Sequence, residues 1–244
     1  DGGIGAAIHV RDGQVIAAGT PILTLDDTEL NAQHALTLRD LAETMAQLDR
    51  LKAEVMGASQ IAYQPGLLAL RAQMPELESA IAEETSLFNA RQATLRQTAA
   101  ELTERISQAR TQIDGRSREL AASRSELALI SEELSGLDGL YAKGLALKER
   151  VMALRREAAQ ANGRIGELEA SIAEARSSIS GFVVERLRME AEFREKAQDE
   201  LRKLQPKEHE LRERLRVIDT QRKRLVLRAP MAGAVLGLQA HTVG

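Results

Sequence analysis

The chain has 244 residues, of which 43% are hydrophobic and only 2% aromatic, and it contains neither tryptophan nor cysteine. Its 33 basic and 36 acidic residues give a net charge of −3, which leaves no basic footprint for nucleic acid. The absence of cysteine excludes disulfides and thiolate metal sites. The middle of the chain is rich in alanine, leucine, glutamate, arginine and glutamine, which is typical of a long helix or coiled coil because these residues lose little rotamer freedom in a helix.

The first 27 residues have the pattern of short β-strands separated by turns. Apolar residues alternate with smaller or polar ones at Ile4, Ala6, Ile8 and Val10, which is the period of a half-buried strand. Asp12-Gly13 is a hairpin signal. A β-type pattern returns only after residue 226. We therefore predict one small β-domain in two halves, residues 1–27 and 227–244, separated by a long helical insertion.

Heptad periodicity fills residues 28–226, for which we predict three helices, over about 28–61, 67–138 and 147–226. In the second helix, apolar residues recur at spacings of four and three, the rule for a left-handed coiled coil. Two seam positions, Arg116 and Ser123, are polar, which we interpret as register-tuning or solvent-facing layers. Pro206 predicts a bend or a break in the third helix.

Length decides the expected topology. At 1.5 Å per residue, the second and third helices would be roughly 105 and 120 Å long, so they match as the arms of an antiparallel hairpin. The first helix, roughly 50 Å long, cannot extend the outgoing arm and still leave it paired along its length. We therefore expect a helix break near residues 63–66 and a first helix that packs beside the hairpin or extends past its partner. The overall prediction is a mainly α chain with a small β part.

The hairpin tip, residues 139–147, is the segment with the strongest indication of function. Any helical hairpin needs a glycine-bearing turn, but this turn also carries apolar residues that suit docking at an exposed end. The candidate partner-binding residues are Leu140, Tyr141, Lys143, Gly144, Leu145, Leu147 and Lys148.

The two ends and the tip resemble the membrane fusion protein family. The first half of a lipoyl-type domain is suggested by Gly2-Gly3-Ile4, Val10-Arg11-Asp12-Gly13-Gln14-Val15, Ala18-Gly19-Thr20-Pro21-Ile22-Leu23 and Leu25-Asp26-Asp27-Thr28. The second half is suggested by Leu227-Arg228-Ala229-Pro230, Gly233, Val235 and His241-Thr242-Val243-Gly244. The tip motif is Leu140-Tyr141-Ala142-Lys143-Gly144-Leu145. The pattern is most similar to the hemolysin-D-like periplasmic adaptors of type I secretion systems, in the protease and lipase exporter branch.

This resemblance implies a set of partners and a location. It implies an adaptor in the periplasm of a Gram-negative bacterium, anchored in the inner membrane by a segment absent from this fragment. The partners would be an inner-membrane ABC transporter, a TolC-like outer-membrane channel, further copies in a ring, typically a hexamer, and a secreted protein substrate. In efflux relatives an Arg, a Leu and a Ser near the tip engage the channel. Of these, only the Leu has a plausible equivalent here, Leu145.

Other functions remain open on the residues alone. One is an adaptor of a small-molecule efflux pump; another is a cytosolic coiled-coil organiser, although no Walker sequence is present. A carrier role for the lipoyl-like part is disfavoured, because the only lysine near either β-type end is Lys223, at the junction. The four histidines show no metal-ligand spacing, and no nucleophile or carboxylate pair suggests an enzyme. We expect no cofactor, no metal and no catalytic site.

Overall fold

The computed structural model of the chain describes residues 5–237. Contacts divide the chain into two compact units. The first, here called the mixed unit, comprises the described residues of Asp1–Ala90 and Phe193–Gly244. The second, here called the hairpin unit, is Arg91–Glu192. Two long helices contribute residues to both units, and the strands lie only in the mixed unit.

Among residues 5–237, five short strands come from the two ends of the chain. They are β1 (Gly5–Ile8), β2 (Val15–Ile16), β3 (Pro21–Leu25), β4 (Val226–Arg228) and β5 (Gly233–Ala234). One antiparallel sheet has the order β1-β3-β4, and a second antiparallel pair joins β2 to β5. Each sheet therefore contains strands from both ends of the sequence.

Backbone hydrogen bonds and a small core close the two halves into one β-part. Leu23 lies opposite Leu227, and Val15 opposite Ala234. Between the halves, the Gly13 N–H donates to the Val235 carbonyl at 2.8 Å, and the Gly19 N–H donates to the Ala229 carbonyl at 2.8 Å. The core residues are Val10, Ile16 and Ala229, with Ile22 and Val235 packed against them. The resemblance residues at 2–4 and 241–244 lie outside the described residues.

The described residues contain four helices where the sequence predicted three. They are α1 (Thr28–Met56), α2 (Pro65–Gln73), α3 (Leu77–Tyr141) and α4 (Lys148–Arg224). The predicted helix 28–61 ends five residues early, and the predicted helix 67–138 is divided at residues 74–76. The predicted helix 147–226 corresponds to α4.

Helix α1 ends at Met56 because a left-handed glycine stops it. Gly57 has φ of 64°, a conformation that glycine adopts without a Cβ penalty. The Gly57 N–H donates to the Glu54 carbonyl and the Ala58 N–H donates to the Ala53 carbonyl. This is the Schellman arrangement, which satisfies the last carbonyls of a helix.

The break between α2 and α3 follows from Pro75. A proline pushes the preceding residue out of the helical region, and Met74 is accordingly extended, with φ of −129° and ψ of 90°. Helix α3 begins two residues after Pro75. Pro206 has no such effect, because α4 continues through it without a break.

Within the mixed unit α1 packs beside the other helices, so the expected offset first helix is confirmed. Two clusters bury its apolar side chains. The first contains Leu41, Ala42, Met45, Ala46, Leu67, Leu77, Ile81 and Leu211. The second contains Leu48, Leu51, Ala197 and Leu201. Helix α1 thus contacts α2, α3 and α4.

A buried polar network holds the same helices together. Arg50 donates to Glu84 at 2.5 Å and to Glu54 at 2.9 Å, and the Arg50 and Glu54 side chains are only 7% and 0% exposed. Burial alone lowers the pKa of the Arg50 guanidinium, but the hydrogen bonds to Glu84 and Glu54 outweigh it and raise the pKa. The Tyr63 hydroxyl lies 2.8 Å from the Thr85 hydroxyl and donates to the Ile81 carbonyl at 3.2 Å.

The hairpin unit is an antiparallel pair of helices. Arg124 on α3 pairs with Glu169 on α4 at 2.6 Å, and the Arg105 guanidinium lies 5.9 Å from the Phe182 ring centroid. The buried apolar residues recur at heptad positions, as the seam prediction required: Leu102, Ile106, Val151, Leu154, Ala161, Ile165, Leu168, Ile172 and Ala175. Ser123 is buried in the seam, so it does not face solvent. In the part of the chain that the structure describes, no helix is long and apolar enough to span a bilayer.

Candidate functional site: the hairpin tip

The tip is a short turn closed by backbone hydrogen bonds. The Gly144 N–H donates to the Tyr141 carbonyl at 2.9 Å, and the Leu145 N–H donates to the Leu140 carbonyl at 2.9 Å. With Gly144 at φ of 72°, these bonds form a Schellman motif at the C-terminus of α3. Helix α3 runs to Tyr141, three residues further than the sequence indicated, so the turn itself is residues 142–147.

The start of α4 is also defined at this turn. The Leu147 carbonyl accepts from the Arg150 N–H at 3.1 Å and from the Val151 N–H at 3.4 Å. Leu147 therefore occupies the N-cap position, where serine, threonine, aspartate and asparagine are preferred for their side-chain oxygen. A leucine here does not cap the helix with its side chain, so helix stability does not explain the choice of residue.

Four apolar side chains of the predicted site are exposed at the turn. Leu145 is 73% exposed and Leu147 is 75% exposed, while Leu140 and Tyr141 are 46% and 39% exposed. The two lysines of the predicted site, Lys143 and Lys148, are exposed beside them. The structure thus brings all seven predicted residues, Gly144 included, into one surface of apolar and cationic character, here called the tip surface.

Residues just behind the turn fix its shape. Val151 and Leu154 are 0% and 1% exposed, so the seam is fully packed up to the first turn of α4. Two ion pairs cross between the helices, Arg150 to Glu133 at 2.5 Å and Arg155 to Asp138 at 3.1 Å. The sequence analysis did not predict these ion pairs. The signal that could have indicated them is the presence of acidic residues beside the seam of α3 and of arginines beside the seam of α4.

The tip surface exposes apolar side chains of the kind that a partner covers in an interface. Contact with a partner removes such apolar surface from water, which lowers the free energy of the system. The tip surface carries no carboxylate pair, and its side-chain nitrogens are lysine ammonium groups, which donate hydrogen bonds and attract acidic partners.

The described histidines have no partner in common among the contacts of their side chains. His9 Nε2 is 2.8 Å from the Thr24 hydroxyl, and His34 Nε2 is 3.2 Å from an Asp219 carboxylate oxygen. His209 is exposed on α4, and His241 lies outside the described residues. Among residues 5–237, no group of three or more histidines, aspartates or glutamates could hold a metal ion.

The fold and tip define a class of protein: a long helical hairpin inserted between the two halves of a small β-part. A family model described as "AprE, long alpha-helical hairpin" matches residues 30–221. The chain belongs to this family.

Curated relatives match along the whole chain. The type I secretion system membrane fusion protein PrsE of Rhizobium meliloti strain 1021 is 32% identical over 99% of this chain and 55% of its own length. The alkaline protease secretion protein AprE of Pseudomonas aeruginosa is 28% identical over 100% of this chain and 56% of its own length. The proteases secretion protein PrtE of Dickeya chrysanthemi is 26% identical. The chain thus spans about half the length of these relatives.

Solved structures agree with the sequence matches. The soluble domain of LipC, a membrane fusion protein of a type I secretion system, superposes with a TM-score of 0.91 and 25% identity, over 99% of this chain and 91% of that one. The periplasmic adaptor protein EmrA superposes with a TM-score of 0.57 over 95% of this chain and 62% of that one. EmrA is only 17% identical, so it shares the fold alone.

Proposed function

We propose that this chain is the hairpin and split β-part of a periplasmic adaptor that links an inner-membrane ABC transporter to a TolC-like outer-membrane channel. The adaptor would serve one-step protein secretion, in a ring of several copies, and would be held at the inner membrane by a part of the protein outside this chain. The role is structural and requires no catalytic residue, cofactor or metal.

Family membership and the relatives' names support the class of machine. The relatives are named as secretion and membrane fusion proteins, two of them for proteases. A protein substrate is therefore favoured over the small molecules of an efflux pump, which only the fold likeness to EmrA would suggest.

The observation that carries the docking role is the exposed apolar tip surface. Leu145 and Leu147 are the most exposed of its apolar side chains, and packing within the chain explains the position of neither. Their exposure beside a rigid Schellman turn favours a partner that covers the tip. We propose that this partner is the outer-membrane channel.

The test is polar replacement at the tip in the full-length protein. The double variant Leu145→Gln/Leu147→Gln should block protein export, because it removes the apolar contact, and should leave thermal unfolding near that of the parent since both residues are exposed. The control is Leu36→Gln, at another strongly exposed leucine, 63% exposed, in α1. Protein released to the medium is the readout, and drug susceptibility is measured in parallel. Normal export by the double variant would remove the tip from the mechanism, while a change in drug susceptibility alone would favour the efflux alternative.

A further inference from the structure

Two interhelical ion pairs stand just behind the tip turn. Arg150 Nη2 lies 2.5 Å from Glu133 Oε1, and Arg155 Nη2 lies 3.1 Å and 3.3 Å from the two carboxylate oxygens of Asp138. In both pairs α3 supplies the acid and α4 supplies the arginine. We call these two ion pairs the tip braces.

The tip braces lie on opposite sides of the seam. In α3, Glu133 directly precedes the seam residue Leu134, and Asp138 directly follows the seam residue Leu137. In α4, the two arginines directly precede and follow the two buried seam residues in the same way. These are the g and e positions of a heptad, which flank the seam and form interhelical salt bridges. One brace therefore lies on each flank.

The braces also slant in opposite directions along the hairpin. Helix α3 ends and α4 begins at the tip turn, so residues equally far from these two helix ends are about level. Glu133 lies eight residues before the end of α3, and its partner Arg150 lies only two residues after the start of α4. Asp138 lies three residues before the end of α3, and its partner Arg155 lies seven residues after the start of α4. A sliding of the helices that shortens one brace therefore lengthens the other.

Two of the four charges have an unfavourable sign for their own helix. Asp138 lies in the last turn of α3, and Arg150 lies in the first turn of α4. The helix macrodipole favours a cation at a C-terminus and an anion at an N-terminus. Neither charge is therefore explained by its own helix, whereas pairing across the seam explains both.

The end of α3 needs support from α4. Gly136 and Gly139 lie within its last two turns, and a Cβ added at either glycine would meet nothing within 4 Å. Glycine is the poorest residue in a helix interior apart from proline, and no described neighbour requires the small size of these two. The local sequence therefore does not hold this helix end rigid, and contacts between the helices must do so.

From this geometry we propose that the four residues of the tip braces are positioning residues, which hold the tip turn in the orientation that docking requires. Braces on opposite flanks and with opposite slants fix both the height and the rotation of α3 relative to α4. They thereby fix the direction in which Leu145 and Leu147 project. The inference rests on the proposed function, in which the tip surface docks onto a partner.

The exposure of the braces separates this role from the stability of the fold. The exposed fractions of the four side chains lie between 40% and 54%, and exposed ion pairs contribute little to global stability. Their contribution is comparable with the cost of one glycine in a helix, so it matters locally at the end of α3. Loss of a brace should therefore alter the tip turn and leave global unfolding nearly unchanged.

Charge reversal in the full-length protein tests the braces. Arg155→Glu places a second carboxylate beside Asp138 and should lower protein export severalfold, with a midpoint of thermal unfolding near that of the parent. Asp138→Arg/Arg155→Glu rebuilds the pair with reversed polarity and should restore most of the export. The matched control is Arg124→Glu, because Arg124 and Glu169 form the same kind of flanking pair about five helical turns from the tip turn. The control should leave export unchanged.

Amide hydrogen exchange of residues 142–147, measured on the same full-length proteins, reports on the turn itself. The Gly144 and Leu145 N–H groups donate hydrogen bonds that close the turn. Arg155→Glu should speed their exchange by about fivefold, and the reversed pair should return it to the parental rate. Arg124→Glu should leave it unchanged.

The outcomes distinguish positioning from docking. Parental export by Arg155→Glu despite faster exchange would overturn the positioning role and leave docking standing, because Leu145→Gln/Leu147→Gln tests docking separately. Unchanged exchange would overturn the bracing itself. An equal loss of export in Arg124→Glu would also overturn the proposal, since it would indicate a general weakening of the hairpin. If the reversed pair restored exchange but not export, Arg155 would contact the partner itself and the proposal would be wrong. Recovery of both, with the control unchanged, would support it.

Discussion

The mixed unit and the hairpin unit are stabilised in different ways by helices of similar composition. In the mixed unit α1 is buried against three other helices, and Leu48, Leu51, Leu67, Leu77 and Phe88 are at most 2% exposed. In the hairpin unit two helices share one narrow seam, and of its side chains only Val151 and Leu154 are among the largest that are fully buried. A two-helix seam covers one stripe of each helix, whereas several helices around a centre can bury a helix on most sides.

The difference extends to charged residues. The mixed unit contains the Arg50 network, with Glu54 fully buried, whereas the hairpin unit pairs its charges at exposed sites such as Arg124 and Glu169, 60% and 50% exposed. The same type of substitution should therefore lower the free energy of unfolding by different amounts in the two units. Three substitutions test this, and each is compared with its counterpart in the hairpin unit.

The largest expected effect is that of Arg50→Ala. Removing one partner of a buried ion pair leaves an uncompensated charge, which costs about 3–5 kcal/mol. The counterpart is Arg124→Ala, which breaks an exposed pair and should cost at most about 1 kcal/mol. Chemical denaturation followed by circular dichroism measures both. Equal losses would show that the Arg50 network is not the special feature of the mixed unit.

The second comparison concerns apolar packing. Leu48→Ala, at a side chain 0% exposed, should lower the free energy of unfolding by about 2–5 kcal/mol, because it leaves a cavity that helices on several sides cannot fill. Leu120→Ala, at a half-buried seam position in α3, should cost clearly less because solvent reaches the site. Thermal unfolding of the two variants provides the measurement. A larger loss for Leu120→Ala would contradict the contrast between the units.

The smallest effect is that of Tyr63→Phe, which removes the hydroxyl bonded to Ile81 and Thr85 and should cost about 1 kcal/mol at neutral pH. Burial raises the pKa of the Tyr63 phenol above its ordinary value of 10.0. Because the pKa of this phenol is higher in the folded state than in the unfolded state, its full contribution to the free energy of unfolding is present below the unfolded-state pKa. The contribution is lost as pH rises through the folded-state pKa. The parent should therefore lose stability above about pH 10 more steeply than Tyr63→Phe does.

The counterpart for this last comparison is Tyr141→Phe at the tip, where the side chain is 39% exposed. Its neutral-pH stability should stay within about 0.5 kcal/mol of the parent, as for most surface changes. Parallel unfolding curves at neutral and alkaline pH for the parent and both variants complete the test. An identical alkaline profile for the parent and Tyr63→Phe would show that the buried phenol does not control the pH dependence.

Much of the fold could be predicted from local patterns in the sequence. The strands at both ends, the hairpin and its tip, and the need for an offset first helix followed from periodicity, turn residues and length. These features depend on signals within one turn or one heptad. Gly144 is an example, because a glycine in a turn indicates a left-handed conformation. The tip residues could be named for the same reason, although their contact with a channel is still a prediction.

Other features depended on residues far apart in sequence. Pro75 is itself the local cause of the division of the predicted second helix, but the packing of α2 against α1 and α3 joins distant residues such as Leu41, Leu67 and Ile81. The partnership of Arg50 with Glu84 joins positions 34 apart. Ser123 was predicted either to tune the register or to face solvent, and only the packing of the two helices shows that it is buried. Sequence by itself determined which segments are helical and where they turn, because those preferences are local. Tertiary structure alone decided which faces are covered, because burial depends on what the rest of the chain brings to each helix.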